Sequence, residues 1–139
     1  MVRGRPLGRS PLGQNQGMSH EGSVLQPTIG WICVDCADPQ ALAIWWQRLL
    51  GGELAVDGDG DVHLEARPVR LLFVKVPEPK VVKNRLHLDL RVTDYDGAVA
   101  RALTIGAAPA DEVYLGDRWR VLRDPEGNEF CIIRPKTGD

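Results

Sequence analysis

The sequence predicts an α+β fold in which two βαβββ modules form a concave sheet around a pocket. Three observations lead there. Segments with strand and helix character follow in the order strand, helix, three strands, and the same order then starts again about 56 residues later. Between the two runs lies a break, Pro77-Glu78-Pro79-Lys80, that suits neither helix nor strand. Each half gives a sheet with one face on its helix, which leaves the opposite faces to line a shared concavity.

The first half opens with residues 28–36, rich in β-branched and aromatic side chains as a strand requires. Asp38 then offers an N-cap and Pro39 a preset first helical position. The helix that follows carries Leu42, Trp45, Trp46 and Leu49 on its apolar stripe, and Gly51-Gly52 ends it. Strands are expected over 53–56, 62–66 and 69–76. The acidic run Asp57-Gly58-Asp59-Gly60-Asp61 resembles a calcium loop, but Val62 and Pro68 stand where an EF-hand places Gly and Glu, so it reads as a hairpin turn.

The second half repeats the plan. Residues 86–92 form a strand, and Asp94 caps a helix with Ala98, Val99, Ala102 and Leu103 on its apolar face, which Gly106 ends. Three strands close the chain over 110–115, 118–123 and 129–134. The last two are joined by Asp124-Pro125-Glu126-Gly127, whose proline and glycine suit a type I turn. Residues 1–27 are rich in Gly, Arg, Pro, Gln and Ser and read as a flexible tail, with Met18 an alternative start. The domain therefore covers 28–135, in halves of about 28–76 and 86–134, and 136–139 form a short C-terminal tail.

Composition narrows the function. In 139 residues, 43% hydrophobic and 26% charged residues suit one globular domain. A formal net charge of −2 supplies no basic field for nucleic acid, and no apolar run approaches the ~20 residues of a membrane span. Three cysteines, an odd number, and no secretory leader point to a reducing cytoplasm without structural disulfides.

Several segments together carry a family resemblance. They are Asp38-Pro39-Gln40-Ala41-Leu42-Ala43 with Trp45-Trp46 and Leu50-Gly51, then Asn84-Arg85-Leu86-His87-Leu88-Asp89-Leu90. Arg118-Trp119-Arg120-Val121-Leu122 and Asp124-Pro125-Glu126-Gly127-Asn128-Glu129-Phe130-Cys131 complete the set. In this order and spacing the chain resembles glyoxalase-like proteins of the vicinal oxygen chelate superfamily, which includes glyoxalases, bleomycin-resistance proteins and extradiol dioxygenases. Metal enzymes of that superfamily place a ligand on the first and last strand of each half. The resemblance puts those positions on Trp31, on Phe73 or Val74, on His87 and on Cys131, so His87 is a good ligand and Cys131 replaces the usual glutamate.

Alternation on the strands groups the remaining candidates. His87, Asp89 and Arg91 share a wet face, opposite Leu86, Leu88, Leu90 and Val92. They form either a polar corner that orients a ligand or moves a proton, or a structural hydrogen-bonded trio. Trp31 and Cys33 share a face in the first half, and the offset sets Trp31 against His87, either as a pocket wall for a ring-shaped ligand or as cavity filling. Trp119 and Cys131 are further pocket candidates. Cys33 and Cys36 have redox-motif spacing, but residues three apart on a strand point to opposite faces.

Three functions follow. The first is a pocket for a small organic molecule that lacks the usual metal ligands and needs no cofactor, as antibiotic-binding relatives have. The second is a metal-dependent lyase, isomerase or dioxygenase relative whose non-standard divalent site combines His87 with His63 and Glu65. The third is a homodimeric interaction module, since such sheets often complete their pocket across two chains.

Overall fold

The computed structural model describes residues 25–136, and contacts divide the chain into two units, Met1–Gly30 and Trp31–Asp139. All strands and helices described lie in the second unit. The tails read over 1–27 and 136–139 fall, apart from residues 25–27 and 136, outside the described residues.

The first module runs β1 (Ile32–Cys36), α1 (Pro39–Leu50), β2 (Glu53–Val56), β3 (Val62–Ala66) and β4 (Val69–Lys75). The second runs β5 (Asp89–Arg91), α2 (Tyr95–Thr104), β6 (Ala108–Pro109), β7 (Trp119–Arg123) and β8 (Glu129–Ile133). The sheets have one topology, β1-β4-β3-β2 and β5-β8-β7-β6. In each, the first strand lies parallel to the last and the other pairs are antiparallel. In each module the helix carries the chain from the first strand across to the strand on the opposite edge of the sheet.

Local chemistry explains the helix ends. Asp38 accepts the Ala41 amide at 3.1 Å and Asp94 the Gly97 amide at 3.0 Å, each meeting one of the donors a helix start leaves open. After α1 the chain passes Gly52, whose φ is +96° and where a Cβ would lie 2.2 Å from the Glu65 carbonyl oxygen. Only glycine allows that approach of β2 to β3. In the β2–β3 turn, Asp57 accepts the amides of Asp59 and Asp61 and pairs with His63, so the acidic run is a self-bonded hairpin turn.

The helices cover one face of each sheet and share one core. Leu42, Leu64, Leu71 and Phe73 of the first module are fully buried, as are Leu122, Phe130 and Ile132 of the second. Each removes about 1.5–3 kcal/mol worth of apolar surface from water. Trp45 and Trp46 join the halves, their rings edge-on to Phe130 at 5.8 and 5.0 Å between centroids. The Trp46 indole N–H donates to buried Asp124 at 3.0 Å, and Asp124 also accepts from the Glu126 and Asn128 amides, which fixes the β7–β8 turn. Glu126 in that turn accepts the amides of Ala37 and Asp38, tying the second module to the start of α1.

Three strands differ from expectation. β1 begins at Ile32 rather than at 28, its parallel register with β4 starting at Ile32↔Leu71. β5 is confined to Asp89–Arg91; before it, the Leu88 carbonyl still accepts the Cys131 amide at 2.9 Å, and the Glu129 carboxylate takes the Asn84 amide at 2.8 Å. The strand expected over 110–115 is a turn and loop, and β6 is the two-residue Ala108–Pro109. Here the Val113 amide bonds back to Ala110, while Asp111 pairs with Arg120 and Glu112 with Arg123. These two acidic side chains fold the segment over the sheet instead of along its edge.

Candidate functional site

On the sheet face away from the helices, the second module carries a cavity of about 520 Å3, a size suited to a small molecule. Strand alternation builds its floor. Phe130 and Ile132 of β8 point to the core, so Glu129, Cys131 and Ile133 point into the cavity, and Leu122 of β7 likewise leaves Trp119 and Val121 facing it. Asp89 of β5 and His87 just before it form one side. The 110–118 segment contributes Val113 and Tyr114, and the linker between modules contributes Lys83.

One wall is aromatic. Tyr114 and Trp119 stack with centroids 4.0 Å apart and planes 15° from parallel, and with Val113, Val121 and Ile133 they make a flat apolar surface. The other side is polar. His87 Nδ1 lies 3.0 Å from Asp89 Oδ1, and one ligand atom each of His87, Asp89 and Cys131 lie within 4.8 Å of one another. Burial, reinforced by the negative charge of Asp89, pushes the Cys131 thiol up to about 11, so it is a protonated donor at neutral pH.

Glu129 anchors the surroundings. It is 5% exposed, accepts the Asn84 amide, and pairs with Lys80 at 3.0 Å and with Arg123 at 3.1 Å. Burial alone would raise its pKa, but these three partners overcome that and hold it at about 2. Glu129 thus fastens the linker to β8, while Arg123 of β7 joins Glu129 to Glu112 of the 110–118 segment.

Of the candidates named from sequence, His87, Asp89, Trp119 and Cys131 line this cavity, while Trp31, Cys33 and Arg91 are not among its lining residues. Trp31 sits on the first module's sheet, edge-on to His63 at 4.6 Å and under the Arg70 guanidinium at 3.9 Å. Cys33 is exposed, and Cys36 is buried behind it with burial pushing its thiol up to about 12. His63 and Glu65 are engaged by Asp57 and Arg70, and the ligand atoms grouped with His87 are those of Asp89 and Cys131 instead. Sequence reasoning did not single out Glu129, Lys83, Val113 or Tyr114. Glu129 was detectable, being two residues before Cys131 on one strand; the other three lie in irregular segments without periodicity.

The sequence pattern of the glyoxalase-like domain matches residues 31–133. The chain belongs to the glyoxalase-like domain family. Solved structures agree on the fold. A fosfomycin resistance protein, FosX, of Listeria monocytogenes, solved with Mn(II) and 1S,2S-dihydroxypropylphosphonic acid, superposes with a TM-score of 0.65 at 10% identity, covering 81% of this chain and 93% of its own. A glyoxalase/bleomycin resistance protein/dioxygenase family enzyme from Burkholderia phytofirmans gives 0.61 at 20% identity, covering 73% and 94%. The oxidase ChaP-H2 gives 0.60 at 16%, covering 83% and 98%. No curated protein matches the chain significantly. Among the described residues no helix is long and apolar enough to cross a membrane.

The two sheets of this glyoxalase-like domain can be compared position by position through their registers. Leu90 pairs with Ile132 as Val34 pairs with Phe73, which sets His87 on Trp31 and Cys131 on Leu72. Phe73, expected at the ligand position, is instead fully buried in the core. The first module thus offers Trp31 and Leu72 where a four-ligand site would need two donors. The residues present do not fit that site. The antiparallel pairs Glu65↔Arg70 and Arg123↔Glu129 occupy matching places with their charges exchanged.

Proposed function

We propose that this glyoxalase-like domain binds a small organic molecule with a ring system, through the cavity of its second module and without the four-ligand metal site. The observation that carries the reading is the Tyr114–Trp119 stack facing a polar side of His87, Asp89 and Cys131 across one cavity. A flat apolar wall with a few convergent polar groups is how small-molecule sites obtain both affinity and orientation. The test is a thermal-shift panel of mono- and bicyclic ring compounds on the wild-type protein and Trp119→Ala. The reading expects stabilisation by a subset of compounds that is lost in the variant. Stabilisation by none, or equally in both proteins, would overturn it.

A second reading rests on a different observation: one ligand atom each from His87, Asp89 and Cys131 lie within 4.8 Å of one another. Three such groups suit a divalent ion of some softness, such as zinc, provided binding displaces the thiol proton. FosX was solved with Mn(II), and this chain would use a different donor set. Elemental analysis after stripping and reloading decides it, stoichiometric uptake abolished by His87→Ala being the supporting result. A homodimer is part of the proposal as well, supported by exposed Val81, Val82, Leu86 and Leu115 on the segments around the cavity.

A further inference from the structure

The polar groups around the cavity are unequally satisfied. Glu129 has Lys80 and the Asn84 amide on Oε1 and Arg123 on Oε2. Asp89 has His87 at 3.0 Å. Both carboxylates of the lining are therefore already matched by donors. Lys83 is in the opposite situation: its ammonium donates at 3.3 Å to the carbonyl of Asn84, its own neighbour, and among the described residues no carboxylate lies within ion-pair distance. Its charge is nevertheless felt inside the cavity, since it acts on the Cys131 thiol against the effect of Asp89.

An aromatic wall and a cation without a counter-charge set complementary demands. The wall rewards a planar ring, and the ammonium rewards an anionic group that it need not share with a protein carboxylate. A cationic ligand would have to compete with His87 for Asp89 and would meet Lys83 at close range. A neutral ligand would leave the ammonium to water. Lys83 stands in the linker, which Glu129 fastens through Lys80 and the Asn84 amide on either side of it. The charge is thus placed at the cavity by a braced segment rather than by a free loop.

We propose that the ligand of this cavity is a flat aromatic anion, its rings against the Tyr114–Trp119 pair and its carboxylate-type group on Lys83. This deepens the small-molecule reading and rests on it. The test is calorimetric titration of the full chain with three probes of one shape: 2-naphthoate, 2-naphthamide and 2-naphthylmethylammonium. The expected order is naphthoate tightest, at least tenfold over the amide, with the ammonium weakest. Lys83→Met should bring naphthoate down to the amide's affinity without changing the amide, and Lys83→Arg should keep the preference. Because Lys83 is exposed and bonds only to its neighbour's carbonyl, neither variant disturbs the fold. Amide and naphthoate binding equally, or the ammonium binding best, would overturn the charge assignment while leaving the ring-binding reading in place. Failure of all three to bind would overturn this proposal, and the ring-compound panel then decides the ring-binding reading separately.

Discussion

Replacing Glu129 by glutamine removes one charge and almost no volume, from the carboxylate that holds the linker to β8 and pairs with Arg123 of β7. Its pKa is about 2 in the folded chain against an ordinary 4.5. A carboxylate lowered by folding stabilises the folded state above its unfolded pKa, and that contribution is lost as pH falls from 4.5 toward 2. A difference of ~2.5 units corresponds to about 3 kcal/mol at pH 7, and about 2 kcal/mol of it is lost by pH 3. Urea unfolding of wild type and Glu129→Gln at both pH values gives the comparison, with other titrating groups cancelling between the two proteins. The variant should be less stable by about 3 kcal/mol at pH 7 and by about 1 kcal/mol at pH 3. A gap that is the same at both values would refute the ionic account of this anchor.

Three further outcomes are expected. Trp46→Phe keeps the ring contacts with Phe130 but removes the donor to buried Asp124, and should cost about 1.5–3 kcal/mol in unfolding free energy by denaturant titration. A disulfide reagent at pH 8 should react quickly with one thiol of the native protein, exposed Cys33, and slowly with Cys36 and Cys131, whose pKa values stand at about 12 and 11. All three should react together in denaturant, and fast native labelling of Cys131 would contradict its buried, protonated state. Gly52→Ala should destabilise the domain by more than 1 kcal/mol, because a Cβ there collides with the Glu65 carbonyl oxygen; equal melting temperatures would show that β2 and β3 can separate there.

Elements whose signals were local were legible in the sequence. The caps at Asp38 and Asp94 act within three residues of chain, and α1, β2 and β3 begin where those signals place them. The face of β5 that carries Asp89 was legible for the same reason, since alternation is a property of the strand itself. The 110–115 segment was not, because its course is set by ion pairs with Arg120 and Arg123 on a later strand. The ligand-equivalent position of β4 was misplaced by one or two residues, to Phe73 or Val74 instead of Leu72, which only the cross-strand register resolves. At the cavity, strand alternation pointed to His87 and Asp89 and the family resemblance to Cys131, whereas Tyr114 and Lys83 arrive on irregular chain held by ion pairs with residues of later strands.

The placement of ligand binding is tested most directly by the four indole N–H resonances in a titration with the naphthalene compounds. Trp119 lines the cavity, Trp45 and Trp46 donate their N–H groups to Ile105 and Asp124 in the core, and Trp31 lies on the other sheet. Resonances assigned through single Trp→Phe variants should show Trp119 shifting on binding while Trp31, Trp45 and Trp46 stay in place. Movement of Trp31 with Trp119 unchanged would put the ligand on the first module's sheet and contradict the account.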